Sequence, residues 1–134
     1  MTTYYRFTVN ETAMSDWGHA MFAEDRDTVS DCYGENEFRF SSEDAVSVED
    51  INDDIISQWE EDRKNWLVPL DYEYLTGEQI AKSANPVNIV NGAELYDTEV
   101  VEWLYNRVLA PKSIMAITTN DGAVVFDESL IKRI

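Results

Sequence analysis

Val48, Ile51, Ile55, Trp59 and Trp66 recur at spacings of three, four, four and seven. At about 100° per residue they fall within about 60° of one another. This stripe predicts an amphipathic helix, and it constrains the chain more than any other segment because one face of it must be covered. Ser47-Val48-Glu49-Asp50 resembles a capping box with Asp in place of Glu, and Pro69 bars continuation.

The remaining elements are arranged around that helix. Residues 4–9 (Tyr4, Tyr5, Arg6, Phe7, Thr8, Val9) are aromatic and β-branched and predict an N-terminal strand. Residues 14–23 fit a strand or an ordered loop equally, with Gly18 weighing against a helix, and Asp25 to Asn36 reads as a polar loop. Phe38 and Phe40 alternate with Arg39 in a short strand from Glu37 to Ser41. A short helix is expected from Thr76 to Ala84, stopped before Asn85-Pro86. Another runs from Gly92 or Asp97 to Leu109, with Val100, Val101, Leu104 and Val108 on its buried face and Pro111 closing it. Ile114–Thr118 and Ala123–Phe126 flank Asn120-Asp121-Gly122 and predict a hairpin, and Glu128–Ile134 a last helical turn. The order of elements implies an α+β fold: a small antiparallel sheet, made of the N-terminal strand and the C-terminal hairpin, packed with two or three helices.

The 134 residues suit a single domain, and with 44% hydrophobic residues there is material for a core. One cysteine, Cys32, allows no internal disulfide and points to the cytoplasm. Met1–Arg6 has no basic region leading into an apolar stretch, and no run is long enough for a membrane helix. Trp17, Trp59, Trp66 and Trp103 are expected in the core, and His19 partly exposed beside Trp17. Tyr72 and Tyr74 alternate with acids, as on an edge strand or in an aromatic-acidic contact patch.

Charge is the feature that bears on function. There are 27 Asp and Glu against 10 Lys and Arg, a formal charge of −17. Such a chain repels nucleic acid and anionic membranes and attracts basic proteins. Residues 11–62 hold 17 acids and two bases, whereas residues 63–134 hold ten acids and seven bases. On the helix wheel Glu49, Asp53 and Glu60 form one acidic row, and Asp50, Asp54 and Glu61 a second. At i+4 from Asp50, Asp53 and Asp54 stand Asp54, Ser57 and Gln58, so the ion pairs that normally support a solvated helix are missing. Glu43 joins these six as a candidate binding face, with Asp25, Asp27 and Asp31 as a second group. The expected partner is a basic nucleic-acid-binding protein or effector complex.

Other chemistries have weaker support. Asp25, Asp27 and Asp31 match positions 1, 3 and 7 of a calcium loop, but Val29, Ser30 and Asn36 fill positions 5, 6 and 12. One Cys and one His do not make a zinc site. Cys32 and His19 carry no local mark of a nucleophile and its base. The five glycines are isolated, so there is no phosphate loop. Neither cofactor nor catalytic residue is therefore assigned.

In length, acidity and lack of a catalytic motif the chain resembles the small inhibitors that bacteriophages and plasmids encode against host defence, the anti-CRISPR and anti-restriction proteins that imitate DNA. The resemblance implies a non-enzymatic inhibitor that fills a Lys- and Arg-lined nucleic-acid channel. Two other readings stay open at this point: an interaction module, such as a homodimer, whose acidity serves only solubility, and a metal-assisted enzyme using the carboxylate cluster.

Overall fold

The computed structural model of the chain describes residues 1–16, 18–30, 34–82, 98–119 and 122–134. Trp17, Asp31, Cys32, the Ala84 end of one expected helix, the Gly92–Asp97 start of the next and the Asn120-Asp121 turn lie outside these described residues. The fold is α+β. The chain divides into two compact units: residues 1–47 with 115–134, and residues 48–114.

The first unit carries the strands. They are β1 (Thr3–Thr8), β2 (Ala20–Phe22), β3 (Asn36–Ser41), β4 (Val46–Ser47), β5 (Ala116–Thr119), β6 (Gly122–Val125) and β7 (Lys132–Arg133). They form a three-stranded sheet, β1-β3-β7, and a four-stranded sheet, β2-β6-β5-β4. All pairs are antiparallel except β4 with β5. The expected N-terminal strand and C-terminal hairpin are both present but belong to different sheets. A bridge between Tyr5 and Ala23 joins those sheets, with N–H to carbonyl distances of 2.7 and 2.8 Å in the two directions.

Side-chain alternation explains the core of this unit. Phe38 and Phe40 point inward from β3, and Tyr4 lies opposite Phe40 in the β1–β3 register. The Phe40 ring packs 6.5 Å from Tyr4 and 6.0 Å from Phe22, centroid to centroid. Ala20, Ala116 and Ala123 complete the cluster and leave room for the rings. The interior strand β6 is buried along its whole length, which is why Ala123–Val125 reads as a continuous apolar run. Thr119 pairs with Gly122 across the hairpin.

Three local readings change. Asp25–Asn36, expected as loop, contains helix α1 (Arg26–Ser30), whose start Asp25 caps by accepting a hydrogen bond from Asp27 N at 2.9 Å. The C-terminal turn is a 3-10 turn (Glu128–Leu130) capped by Asp127, and the chain then pairs with β3 as β7. His19 is buried, with its ring 6.0 Å from that of Phe126.

The second unit is helical. Val48–Ile51 forms a 3-10 turn, followed by α2 (Asn52–Lys64), a 3-10 turn at Leu70–Tyr72 and α3 (Gly77–Lys82). Next, α4 (Thr98–Leu104) runs into a π-helical turn (Tyr105–Leu109) and a 3-10 turn (Ala110–Lys112) that contains Pro111. Val48, Ile51, Ile55 and Trp59 are buried as the stripe predicts. The expected capping box at Ser47 does not start the helix: Ser47 pairs with Thr118 in the sheet, and the residue before Asn52 provides no side-chain cap. The box appears instead at α3, where Thr76 Oγ1 accepts from Gln79 N at 3.2 Å and Gln79 Oε1 accepts from Thr76 N at 2.8 Å. Trp66, expected in the core, is 72% exposed because α2 has already ended at Lys64.

Candidate acidic interface

The α2 register places the candidate residues. Ile55, Trp59 and Asp62 face inward, while Asp53, Asp54, Ser57 and Glu61 face solvent together with Glu49 and Asp50 of the preceding turn. The exposed members form a ridge at helical spacing: Asp50, Asp53, Asp54, Ser57 and Glu61. Glu49, Asp50, Asp53 and Glu61 have no ion-pair partner among the described residues. Glu49 to Glu61 spans about 20 Å of axis and carries five exposed carboxylates, four within Glu49–Asp54 and the fifth, Glu61, about 10 Å further along. One strand of B-DNA carries a charge every ~3.4 Å and the duplex one every ~1.7 Å.

Not every candidate is free for a partner. Glu60 accepts from Gly77 N at 2.5 Å and lies 3.4 Å from Arg63 Nη1, so it ties α3 to α2. Asp54 lies 3.5 Å from Lys112 Nζ. Asp53 and Asp54 occupy the first turn of α2, where the helix dipole favours negative charge. Local stability therefore accounts for part of an acidic run that the sequence alone leaves without a structural reason. Glu61 has no such account: it stands in the last turn, where a negative charge opposes the dipole.

Asp25, Asp27 and Glu43 belong to the other unit. All three are exposed, and Asp25 is engaged as the α1 cap. The uneven charge along the chain does not map onto the folded units. Residues 1–47 with 115–134 hold 13 acids and five bases, and residues 48–114 hold 14 acids and five bases. The folded unit of charge concentration is thus the α2 ridge, not one half of the protein.

One carboxylate has a different role. Asp62 is fully buried, and both of its oxygens are paired. Its Oδ1 accepts from Gln58 Nε2 at 2.9 Å and Arg107 Nη2 at 2.8 Å, and its Oδ2 from Trp103 Nε1 at 3.0 Å and Arg107 Nε at 2.8 Å. Burial pushes the Asp62 carboxyl upward, but the hydrogen bonds from Arg107, Gln58 and Trp103, with the Arg107 charge, outweigh it and hold the group below the ordinary range. The sequence contained the signal: at 100° per residue Asp62 falls inside the apolar stripe, which marks a carboxylate that needs a buried partner.

In the sheet unit, Glu37 takes a similar position between two arginines. Its Oε1 lies 2.7 Å from Arg26 Nη2 and its Oε2 2.7 Å from Arg39 Nε. The Arg26 guanidinium covers the Phe7 ring at 5.2 Å and that of Arg39 the Tyr5 ring at 5.6 Å. Among the described residues no group of three or more His, Cys, Asp or Glu is placed to hold a metal ion, and no helix is long and apolar enough to cross a membrane. No protein-family model, curated protein or solved structure matches the chain.

Proposed function

We propose that the exposed ridge of α2 occupies a Lys- and Arg-lined nucleic-acid-binding surface of a partner protein, so that this chain competes with nucleic acid and catalyses no reaction itself. The observation that carries the reading is the row Asp50, Asp53, Asp54 and Glu61, four carboxylates that face solvent along one side of the helix and its first turn. Glu61 adds weight because its position opposes the helix dipole. A cationic groove would recover that cost on binding. Opposite long-range charge speeds such an encounter, and salt weakens it.

The test is capture from a bacterial lysate by the immobilised protein at low salt, followed by elution with single-stranded or duplex oligonucleotides. The expected result is a basic protein displaced by nucleic acid and lost from the variant Asp50→Asn/Asp53→Asn/Glu61→Lys. Asp54 is left intact because Lys112 already pairs with it. Capture that survives both the oligonucleotide and the triple variant would sink the reading.

A further inference from the structure

The C-terminus of α2 ends in a Schellman arrangement. Leu67 N donates to Asp62 O at 2.8 Å and Trp66 N to Arg63 O at 3.4 Å, with Asn65 as the C-cap. The residue after the cap must then turn left-handed, and Trp66 does so with φ 59°. Glycine is the usual occupant there because any Cβ is crowded in this conformation. Tryptophan is a poor choice for the backbone, and at 72% exposure its ring adds little to the core. Neither turn chemistry nor burial explains this residue.

The segment that follows displays more of the same chemistry. Leu67, Leu70 and Tyr74 are 53%, 70% and 69% exposed. The backbone carrying them is nevertheless fixed. Val68 and Tyr72 are buried, Arg63 Nε donates to Glu73 O at 2.8 Å, and Trp59 Nε1 donates to Leu75 O at 2.8 Å. Large apolar side chains shown to water from a pinned backbone are organised for contact before any partner arrives. Asn65 to Ala81 contains Asp71, Glu73 and Glu78 and no Lys or Arg, between the cations Arg63 and Lys64 on one side and Lys82 on the other. Glu73 Oε2 is shielded from solvent with no hydrogen-bond partner among the described residues.

We infer that Trp66 and Tyr74 stand in for nucleobases where the α2 ridge stands in for phosphates, so that the surface fits a groove for single-stranded nucleic acid, lined by cations and by aromatic stacking side chains. This rests on the function proposed above and narrows its target. A duplex-binding surface reads phosphates and groove edges. A single-strand groove adds exposed rings on which bases stack. The ridge supplies a row of carboxylates, and the segment from Trp66 to Tyr74 that follows α2 supplies exposed rings.

Two charge-matched cationic peptides, one alternating Lys with Trp and the other Lys with Ser, serve as probes in fluorescence anisotropy at low salt. The intact protein should bind the Lys-Trp peptide roughly tenfold tighter. Trp66→Gly should bring the two affinities together while leaving the circular dichroism unchanged and the melting temperature equal or higher, since glycine suits the turn. Tyr74→Ser should reduce the preference in the same direction. An intact protein without preference, or a preference that survives Trp66→Gly, overturns the inference and leaves the charge-based reading standing. Failure to bind either peptide, or equal binding of both by Asp50→Asn/Asp53→Asn/Glu61→Lys and the intact protein, overturns that reading itself.

Discussion

Arg107 meets Asp62 through two parallel hydrogen bonds of 2.8 Å, Nε to Oδ2 and Nη2 to Oδ1, across 45 residues of chain. Trp103, one turn earlier, donates to the same carboxylate and packs edge-on against Trp59 at 4.8 Å. A buried charge is thus held by a fork, an indole and an amide inside an otherwise apolar layer. Removing one partner leaves an uncompensated charge, whereas removing both removes the requirement. Arg107→Ala should therefore lower the urea-unfolding midpoint, because the buried Asp62 carboxylate loses its charged partner. Asp62→Leu/Arg107→Ala should recover most of that loss. A double variant no more stable than Arg107→Ala would show that the pair does not act as a unit.

Acid stability follows from two depressed carboxyls. Hydrogen bonding from Arg26, opposed by burial and supported by Arg39, lowers Glu37 below its ordinary value, and Asp62 is likewise lowered. A group depressed in the folded state contributes stability above its unfolded pKa and loses it as pH falls through the folded one. The thermal midpoint should thus fall as pH drops below about 4. Arg107→Ala and Arg26→Ala, by letting burial raise the folded pKa of Asp62 and Glu37 toward the unfolded value, should each make that fall shallower. A fall of unchanged depth in both variants would contradict the assignment.

The hairpin depends on one glycine. Gly122 has φ 145°, and a Cβ there would collide with the Phe22 carbonyl on β2. Backbone, unlike the end of a flexible side chain, cannot step aside cheaply. Gly122→Ala should destabilise the protein by about 2–3 kcal/mol, read as a shifted denaturation midpoint with an unchanged slope. A midpoint within error of the parent would show that β2 moves freely away from β6.

These dependences mark where the sequence was legible. Regular spacing showed the buried row Val48, Ile51, Ile55 and Trp59, and two-residue alternation showed Phe38 and Phe40, because each signal needs only one element and its core. Trp66 was misread because the wheel continues past the true helix end, and nothing before Pro69 announced that Trp, not Gly, would occupy the left-handed position. The pairing of β7 with β3 and of β4 with β5 depends on contacts distant in sequence, which no local pattern encodes. For the candidate interface, the solvent exposure of Glu49, Asp50, Asp53, Asp54 and Glu61 was legible in the sequence, but the half-buried setting of Glu60 and the internal duties of these acids were not. That Glu60 serves Gly77 and Asp54 faces Lys112 emerges only from packing.

Opposite ends of α2 should separate stability from association. Asp53 sits in the first turn, where the dipole favours it, and Glu61 in the last, where it does not. Asp53→Lys should therefore lower stability and Glu61→Lys raise it, each by about 0.3–1 kcal/mol at low salt. If the ridge meets a cationic groove, both variants weaken capture of the partner despite their opposite effects on the fold. Raising the salt should shrink the two stability changes and also weaken capture by the parent, because the Debye length falls from about 10 Å at 0.1 M to about 3 Å at 1 M. Melting curves and capture measured on the same preparations decide the matter. Capture that tracks stability across the pair would assign the acids to folding alone, whereas capture lost in both would assign them to recognition.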